Sequence, residues 1–306
     1  MPPATPLSES QLEAALALLL APANQRQAAP RSAVRHFREH VQASGVPWEG
    51  LGAWDGGALR AVVLTLVPPG RTAVILVPPT TLSTIDAAEQ RNLTRATVAA
   101  LSARDLHFIQ ALIEPGDEAR RALLAQAGLA PLTTLVYLER AATFPWTDPP
   151  PQPFTWSSYN SQTHAEFERV VAESYIDSLD CPELAGLRPI ADVLAGHRAA
   201  GRFDPDLWSL ARVAGEPVGC LLLTRIAGGD IIEIVYLGVV PAWRRRGVGA
   251  ALTQHAIDRA RTLRVRRVSV AADARNTPAQ QLYARFAFSP VGRRAVLWRR
   301  VAAVDG

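Results

Sequence analysis

Two side chains in this sequence are placed to move protons. Glu233 is the only charged residue in the apolar run 231–240, and Tyr283 lies in the segment Asn276-Thr277-Pro278-Ala279-Gln280-Gln281-Leu282-Tyr283. A carboxylate among Ile231, Ile232, Ile234 and Val235 resists ionisation, because burial disfavours the charged form, and so suits a base working near neutrality. A phenol one turn into a rigid helix suits a general acid. Each has a plainer alternative: Glu233 at a solvent-facing sheet edge or paired with an arginine, Tyr283 as core lining. Between them stands Arg244-x-x-Gly247-x-Gly249. Gly247 and Gly249 let backbone N–H groups converge, and a helix opening at Val248, Gly249 and Ala250 adds orphan donors aimed at the same point. The spacing predicts a phosphate-bearing ligand on this turn, with Arg244, Arg245 and Arg246 adding charge-assisted contacts.

The flanking elements follow from periodicity. Residues 231–240 read as a strand covered on both faces, and Val248, Leu252, Ala256, Ala260 and Leu263 form one helical stripe behind the turn. In the second segment Thr277 is the expected N-cap, Pro278 the first helical residue and Gln280 the capping-box partner. Further helices are expected near 164–176 and 190–199, and strands at 207–212, 218–225 and 267–272. Upstream, helices near 10–20 and 32–43 precede strands at 51–54, 59–66 and 72–77. Five prolines in 141–154 make that stretch a linker between residues 1–140 and 155–306. The two halves read as a divergent repeat. Gly128-Leu129-Ala130-Pro131 and the strand 135–139 echo Ala287-Phe288-Ser289-Pro290 and 296–300, with the two prolines 159 positions apart. At that offset Tyr283 falls on Leu124, and no glycine occurs from 71 to 115 to build a phosphate turn in the first half.

The spacing Arg244-x-x-Gly247-x-Gly249, with Val239-Val240-Pro241 ahead of it and the Asn276 to Tyr283 segment behind, resembles the signature of the GNAT acetyltransferase superfamily. The resemblance implies an α/β (α+β) fold of two GNAT-like domains in tandem, each a mixed, mostly antiparallel twisted sheet flanked by helices. Residues 1–140 would be the degenerate copy and 155–306 the catalytic one. It further implies acetyl-CoA as cosubstrate, with Asn276 and Ala279 beside it and Tyr283 near its sulfur. A backbone N–H among Leu237, Gly238 and Val239 would polarise the thioester carbonyl, with Gly238 at a close approach of the pantetheine arm. Glu233, eleven residues ahead of Arg244, resembles the catalytic glutamate of the family's protein acetyltransferases. The family often has Gly-Phe after the tyrosine helix where this chain has Ala287-Phe288. The tandem layout with only the second half intact is similar to that of mycothiol synthases. The implied reaction is direct acetyl transfer to an amine of a small molecule. A non-catalytic acyl-CoA sensor and an acetyltransferase acting on a protein amine are the alternatives. The acceptor pocket would lie near 174–189 and 291–298, where Tyr175, Asp177, Asp180 and Glu183 could dress a cationic amine or be ordinary loop residues.

Composition narrows the classes. All 32 basic residues are arginine and are balanced by 28 acidic ones, which argues against nucleic acid as a partner. Cys181 and Cys220 are too few for a disulfide framework and point to a reducing, cytoplasmic setting. No apolar run suggests a membrane span, and although residues 12–23 imitate a signal peptide with a small-residue cleavage site, the stretch near 10–20 reads instead as an amphipathic helix capped by Ser10 with Glu13. His36, Glu39 and His40 match an H-x-x-E-H spacing but sit in a charged helical surface, so no metal is expected. The oligomeric state is open.

Overall fold

The computed structural model describes residues 4–22, 27–143, 153–226 and 228–301. In chain order these form β1 (Thr5–Pro6), α1 (Glu9–Leu19), α2 (Arg31–Ser44), β2 (Trp48–Asp55), β3 (Ala58–Leu66), β4 (Thr72–Leu76), α3 (Ala87–Ser102), β5 (Phe108–Ile113), α4 (Glu118–Gln126) and β6 (Ala130–Ala141). There follow β7 (Thr155–Ser158), α5 (His164–Ser174), α6 (Ile190–Arg198), β8 (Trp208–Val213), β9 (Glu216–Arg225), β10 (Ile231–Val239), α7 (Val248–Thr262), β11 (Arg267–Asp273), α8 (Thr277–Arg285) and β12 (Ser289–Arg300). The mixed α/β class expected from the sequence is the one observed. Most of the proline-rich stretch 141–154 lies outside the described residues, and β6 runs to its first residue, Ala141.

Two compact units emerge, Met1–Thr133 with Arg294–Gly306, and Thr134–Arg293. The strand order is β1-β2-β3-β4-β5-β12 in the first and β7-β8-β9-β10-β11-β6 in the second. Each has a parallel pair, β4 with β5 and β10 with β11, in an otherwise antiparallel sheet. The division differs from the sequence boundaries at 140 and 155 because the terminal strands are exchanged. Residues 135–141 of β6 pair with β11 in the second unit, whereas residues 295–300 of β12 pair with β5 in the first. Each exchanged strand covers what would otherwise be a free sheet edge.

The second unit's core holds Phe167, Trp208, Leu221, Leu252 and Ile257, all essentially inaccessible. β9 is buried from Pro217 to Thr224 because α5 packs on one face of the sheet and α7 on the other. The first unit has its own cores around Ile109 and Leu124 and around Leu16 and Leu64. The cap of α1 lies two residues earlier than expected: Ser8, not Ser10, donates its N–H to Gln11 Oε1 at 2.9 Å. The Ser8-x-x-Gln11 spacing satisfies the same box one half-turn upstream and leaves Ser10 and Glu13 inside the helix. His36 and His40 both fall on α2, and the side chain of His40 lies outside the described residues.

Candidate active site

The site begins with a fork. β10 and β11 pair in parallel from Ile231↔Arg267 to Ile234↔Val270 and then part, although the strands run on to Val239 and Asp273. β10 keeps its outer partner β9 as far as Val239↔Gly219, and β11 keeps β6 as far as Asp273↔Leu135. The fork therefore leaves inner-edge peptide groups of β10 without a ladder partner on β11. A bulge at Val235 sits at its base, since β9 pairs Leu223 with Ile234 but Leu222 with Tyr236. Thr224 and Leu222, two residues apart on β9, oppose Glu233 and Tyr236, so those two side chains share one sheet face despite their three-residue spacing.

A cavity of about 340 Å³ occupies the fork, lined by Tyr236 to Val239 on one prong, Val270 to Ala272 on the other, and Asn276, Ala279 and Tyr283 from α8. α8 starts one residue earlier than expected: Asn276 is the N-cap, its Oδ1 accepting the Ala279 N–H at 3.2 Å, with Thr277 and Pro278 already helical. Asparagine outranks threonine at this position. Gln280, the expected capping-box partner, instead donates its side-chain N–H to Ala274 O at 2.7 Å. Tyr283 is 5% exposed, and burial pushes its phenol pKa up, so it carries its proton throughout the neutral range. Its ring packs on Phe288, which a Schellman-type closure, Phe288 N–H to Tyr283 O at 3.0 Å, holds in place. Ala287 adopts a left-handed φ of 59°, a conformation glycine takes more readily, and the helix end closes around it all the same.

At the other end, Arg245 and Gly247 both have positive φ, 61° and 84°, and α7 opens on Gly247 without a side-chain cap. Its first N–H groups thus face the turn, the arrangement an anion requires. Arg245 and Gly249 line the cavity; Arg246 stacks over Trp243. Arg244 lines the cavity as well, but its guanidinium turns to backbone carbonyls. Its guanidinium donates to Ser174 O at 3.0 Å, Ile176 O at 2.6 Å, Asp177 O at 3.3 Å and Val239 O at 3.3 Å. It ties the C-terminal end of α5 to the end of β10, and those carbonyls leave little of its fork for a ligand.

Gly238 is held small by its own neighbours. A Cβ there would meet Ser174 Oγ at 2.5 Å and Tyr236 Cε1 at 2.7 Å, so α5 and the Tyr236 ring already require glycine at this cavity-lining position. Gly238→Ala is expected to destabilise the protein by roughly 1–3 kcal/mol, the usual range for overpacking, read as a fall in Tm. Gly219 is equally constrained, because a Cβ would lie 2.9 Å from Gly238 O and 3.0 Å from Val248 Cγ1.

Glu233 does not line the cavity. It pairs with Ser269 one register step below the last rung of the fork, and burial raises its pKa to about 7. Tyr236, overlooked in the sequence, brings a buried phenol into the cavity, its Oη 2.7 Å from Ser174 Oγ. The segment after α5 supplies Asp177, Ser178, Leu179 and Asp180. Burial pushes the Asp180 carboxyl up while the Asp273 N–H donates to it at 3.0 Å. Asp273, with Arg275 and Glu183, braces that segment from behind. Of the four acceptor candidates, Asp177 and Asp180 reach the cavity, Tyr175 packs on Tyr236, and Glu183 is held by Arg275. No β12 residue is among those lining it.

A family model described as the Acetyltransferase (GNAT) family matches residues 174–288, the span from the end of α5 to the residue before β12. The mycothiol acetyltransferase of Beutenbergia cavernae is 36% identical over 96 residues, which are 30% of this chain and 32% of the relative. The match thus spans about a third of that curated relative's length. Among solved structures, a GCN5-related N-acetyltransferase from Sphaerobacter thermophilus superposes over 100% of this chain and 99% of its own, with a TM-score of 0.63 at 19% identity. A tandem GNAT protein from the clavulanic acid biosynthesis pathway does so over 99% of both chains, with a TM-score of 0.58 at 15% identity. At such identities these two likenesses speak to the fold. Residues 174–288 thus match the acetyltransferase (GNAT) family, and the fold of the chain is that of the tandem GNAT structures.

Proposed function

We propose that the second unit is an acetyl-CoA-dependent N-acetyltransferase acting by direct transfer on an amine of a small molecule. The observation that carries this reading is the convergence of an open strand fork, an uncapped helix N-terminus and a neutral buried phenol on one cavity. When bound, acetyl-CoA would supply an activated acyl group as a thioester. The turn at Arg245 to Gly249 would hold its phosphates through the N–H groups of Val248, Gly249 and Ala250, with Asn276 and Ala279 along the other wall. Leu237, Gly238 and Val239 present backbone to the fork, where an N–H can polarise a carbonyl. Tyr283 Oη holds a proton for a departing thiolate. Glu233, buried at the base of the fork, is the candidate base.

The likeness of 96 residues of this chain to a mycothiol acetyltransferase supports a small-molecule acceptor. The reading is tested by incubating the full chain with acetyl-CoA and a panel of primary amines and following free thiol. Turnover with at least one amine is expected. Tight coenzyme binding without turnover of any amine would favour a coenzyme sensor. The pH dependence tests Glu233 separately. With its pKa raised to about 7, the base is ionised above that pH and protonated below it, so kcat/KM should fall as pH drops through 7. Glu233→Gln should lower the rate and flatten that acidic limb. An unchanged limb would make the carboxylate structural.

A further inference from the structure

The first unit has a fork of its own. β4 and β5 pair in parallel only from Thr72↔Phe108 to Val74↔Gln110, although the strands run on to Leu76 and Ile113. The helix beyond this fork is α4, and the offset of 159 places Glu118–Gln126 on Thr277–Arg285, with the N-cap Asp117 on Asn276. At that offset the cavity-lining Ala279 becomes Arg120, and Arg120 is 7% exposed. Its guanidinium donates from Nε to Val77 O at 2.8 Å, from Nη1 to Asp117 Oδ2 at 2.7 Å, and from Nη2 to Leu19 O and Ala21 O, both at 2.8 Å.

Those acceptors have counterparts in the second unit. Val77 follows β4 as Val239 ends β10, and Leu19 and Ala21 at the end of α1 stand as Ser174 and Ile176 do at the end of α5. In both units a guanidinium ties the forked strand to the first long helix of its unit. In the second it comes from the turn, as Arg244, and α8 shows a small Ala279 to the fork. In the first it comes from α4 and must cross the fork to reach Val77. The helix after β4 is likewise closed: Asp86 caps α3, accepting the Ala88 and Glu89 N–H groups at 2.9 Å, where α7 has no side-chain cap.

We infer that the fork of the first unit is a guanidinium-binding groove filled in cis by Arg120, built from three backbone carbonyls and the Asp117 carboxylate, and thereby shut to any external ligand. Moving the clasp from turn to helix converts a ligand groove into a packed joint. The comparison with a coenzyme groove rests on the function proposed for the second unit; the self-filled fork does not.

The test uses the full chain. Arg120→Ala should lower Tm by several degrees and leave coenzyme A binding by the second unit unchanged. Millimolar methylguanidinium should then recover part of the lost Tm for Arg120→Ala but not for the wild type, and tetramethylammonium at the same concentration should not. Should Arg120→Ala fail to fold, Arg120→Lys, which keeps the charge but loses the planar fork, should show faster amide exchange confined to residues 19–21 and 74–77. A wild-type Tm for Arg120→Ala, absence of rescue in the folded variant, or unchanged exchange in Arg120→Lys would overturn the inference. Calorimetry giving two coenzyme A equivalents per wild-type chain would overturn the closed groove, whereas no binding at all would refute the proposed function and leave the rescue result standing.

Discussion

Tyr283→Phe is expected to lower kcat roughly 10–10³-fold while coenzyme affinity changes little, the range for losing a positioned general acid. The substitution is clean for three structural reasons. Among the described residues the phenol oxygen makes no hydrogen bond, so its removal strands no buried partner. The ring stays packed on Phe288, 5.5 Å between centroids, and α8 keeps its Asn276 cap and its closure at Phe288. The phenol is also fully protonated over the working range, because burial moves its pKa upward. The loss should therefore be nearly uniform from pH 6 to 9 and should not imitate the acidic limb assigned to Glu233. Steady-state kinetics with the best amine of the panel would measure it. A wild-type kcat would make Tyr283 wall lining, and a matching rise in KM for acetyl-CoA would make it a binding residue.

What the sequence disclosed and what it hid divide along a physical line. The repeat offset of 159, drawn from two prolines, superimposes α4 on α8 end to end, Asp117 on Asn276, and the left-handed Gly128 on the left-handed Ala287. Caps and turns are local, so spacing carries them. The positive φ of Gly247 was legible for the same reason. The apolar stripe of α7 was legible too, since Val248, Leu252, Ala256 and Ala260 are all buried and only Leu263 is left partly exposed. Nothing local marked the bulge at Val235, which turns Glu233 and Tyr236 to one face, because a single extra residue in an apolar strand leaves no trace in composition. Nor could spacing say where a long side chain points. Arg244 matches a ligand-binding signature yet spends its guanidinium on α5, and Gly238 is small for the sake of Ser174. The exchange of β6 and β12 was hidden because both strands have the pattern their own halves would need.

Gly247→Asp is expected to abolish coenzyme binding, a loss of at least about 100-fold in affinity, while the protein stays folded. Gly247 is the N-cap of α7 at a φ of 84°, and the first N–H groups of the helix have no side-chain acceptor. An aspartate there brings its own carboxylate to the N-terminus, as Asp86 does on α3, and repels the phosphates that would occupy it. The fold should tolerate the change because two effects of similar size oppose each other. Left-handed backbone costs a non-glycine residue roughly 1–2 kcal/mol, less for aspartate than for most, and a carboxylate near a helix N-terminus returns about 0.3–1 kcal/mol. Tm should shift by no more than a few degrees, so lost binding would not be lost structure. Gly247→Ala supplies the comparison: it bears the same backbone strain without the charge, and its affinity should fall between those of the wild type and Gly247→Asp. Calorimetry with acetyl-CoA decides the matter. Wild-type affinity in Gly247→Asp would remove the turn from the site, and equal losses in both variants would place the effect in backbone geometry and not in the contest between two anions for one helix end.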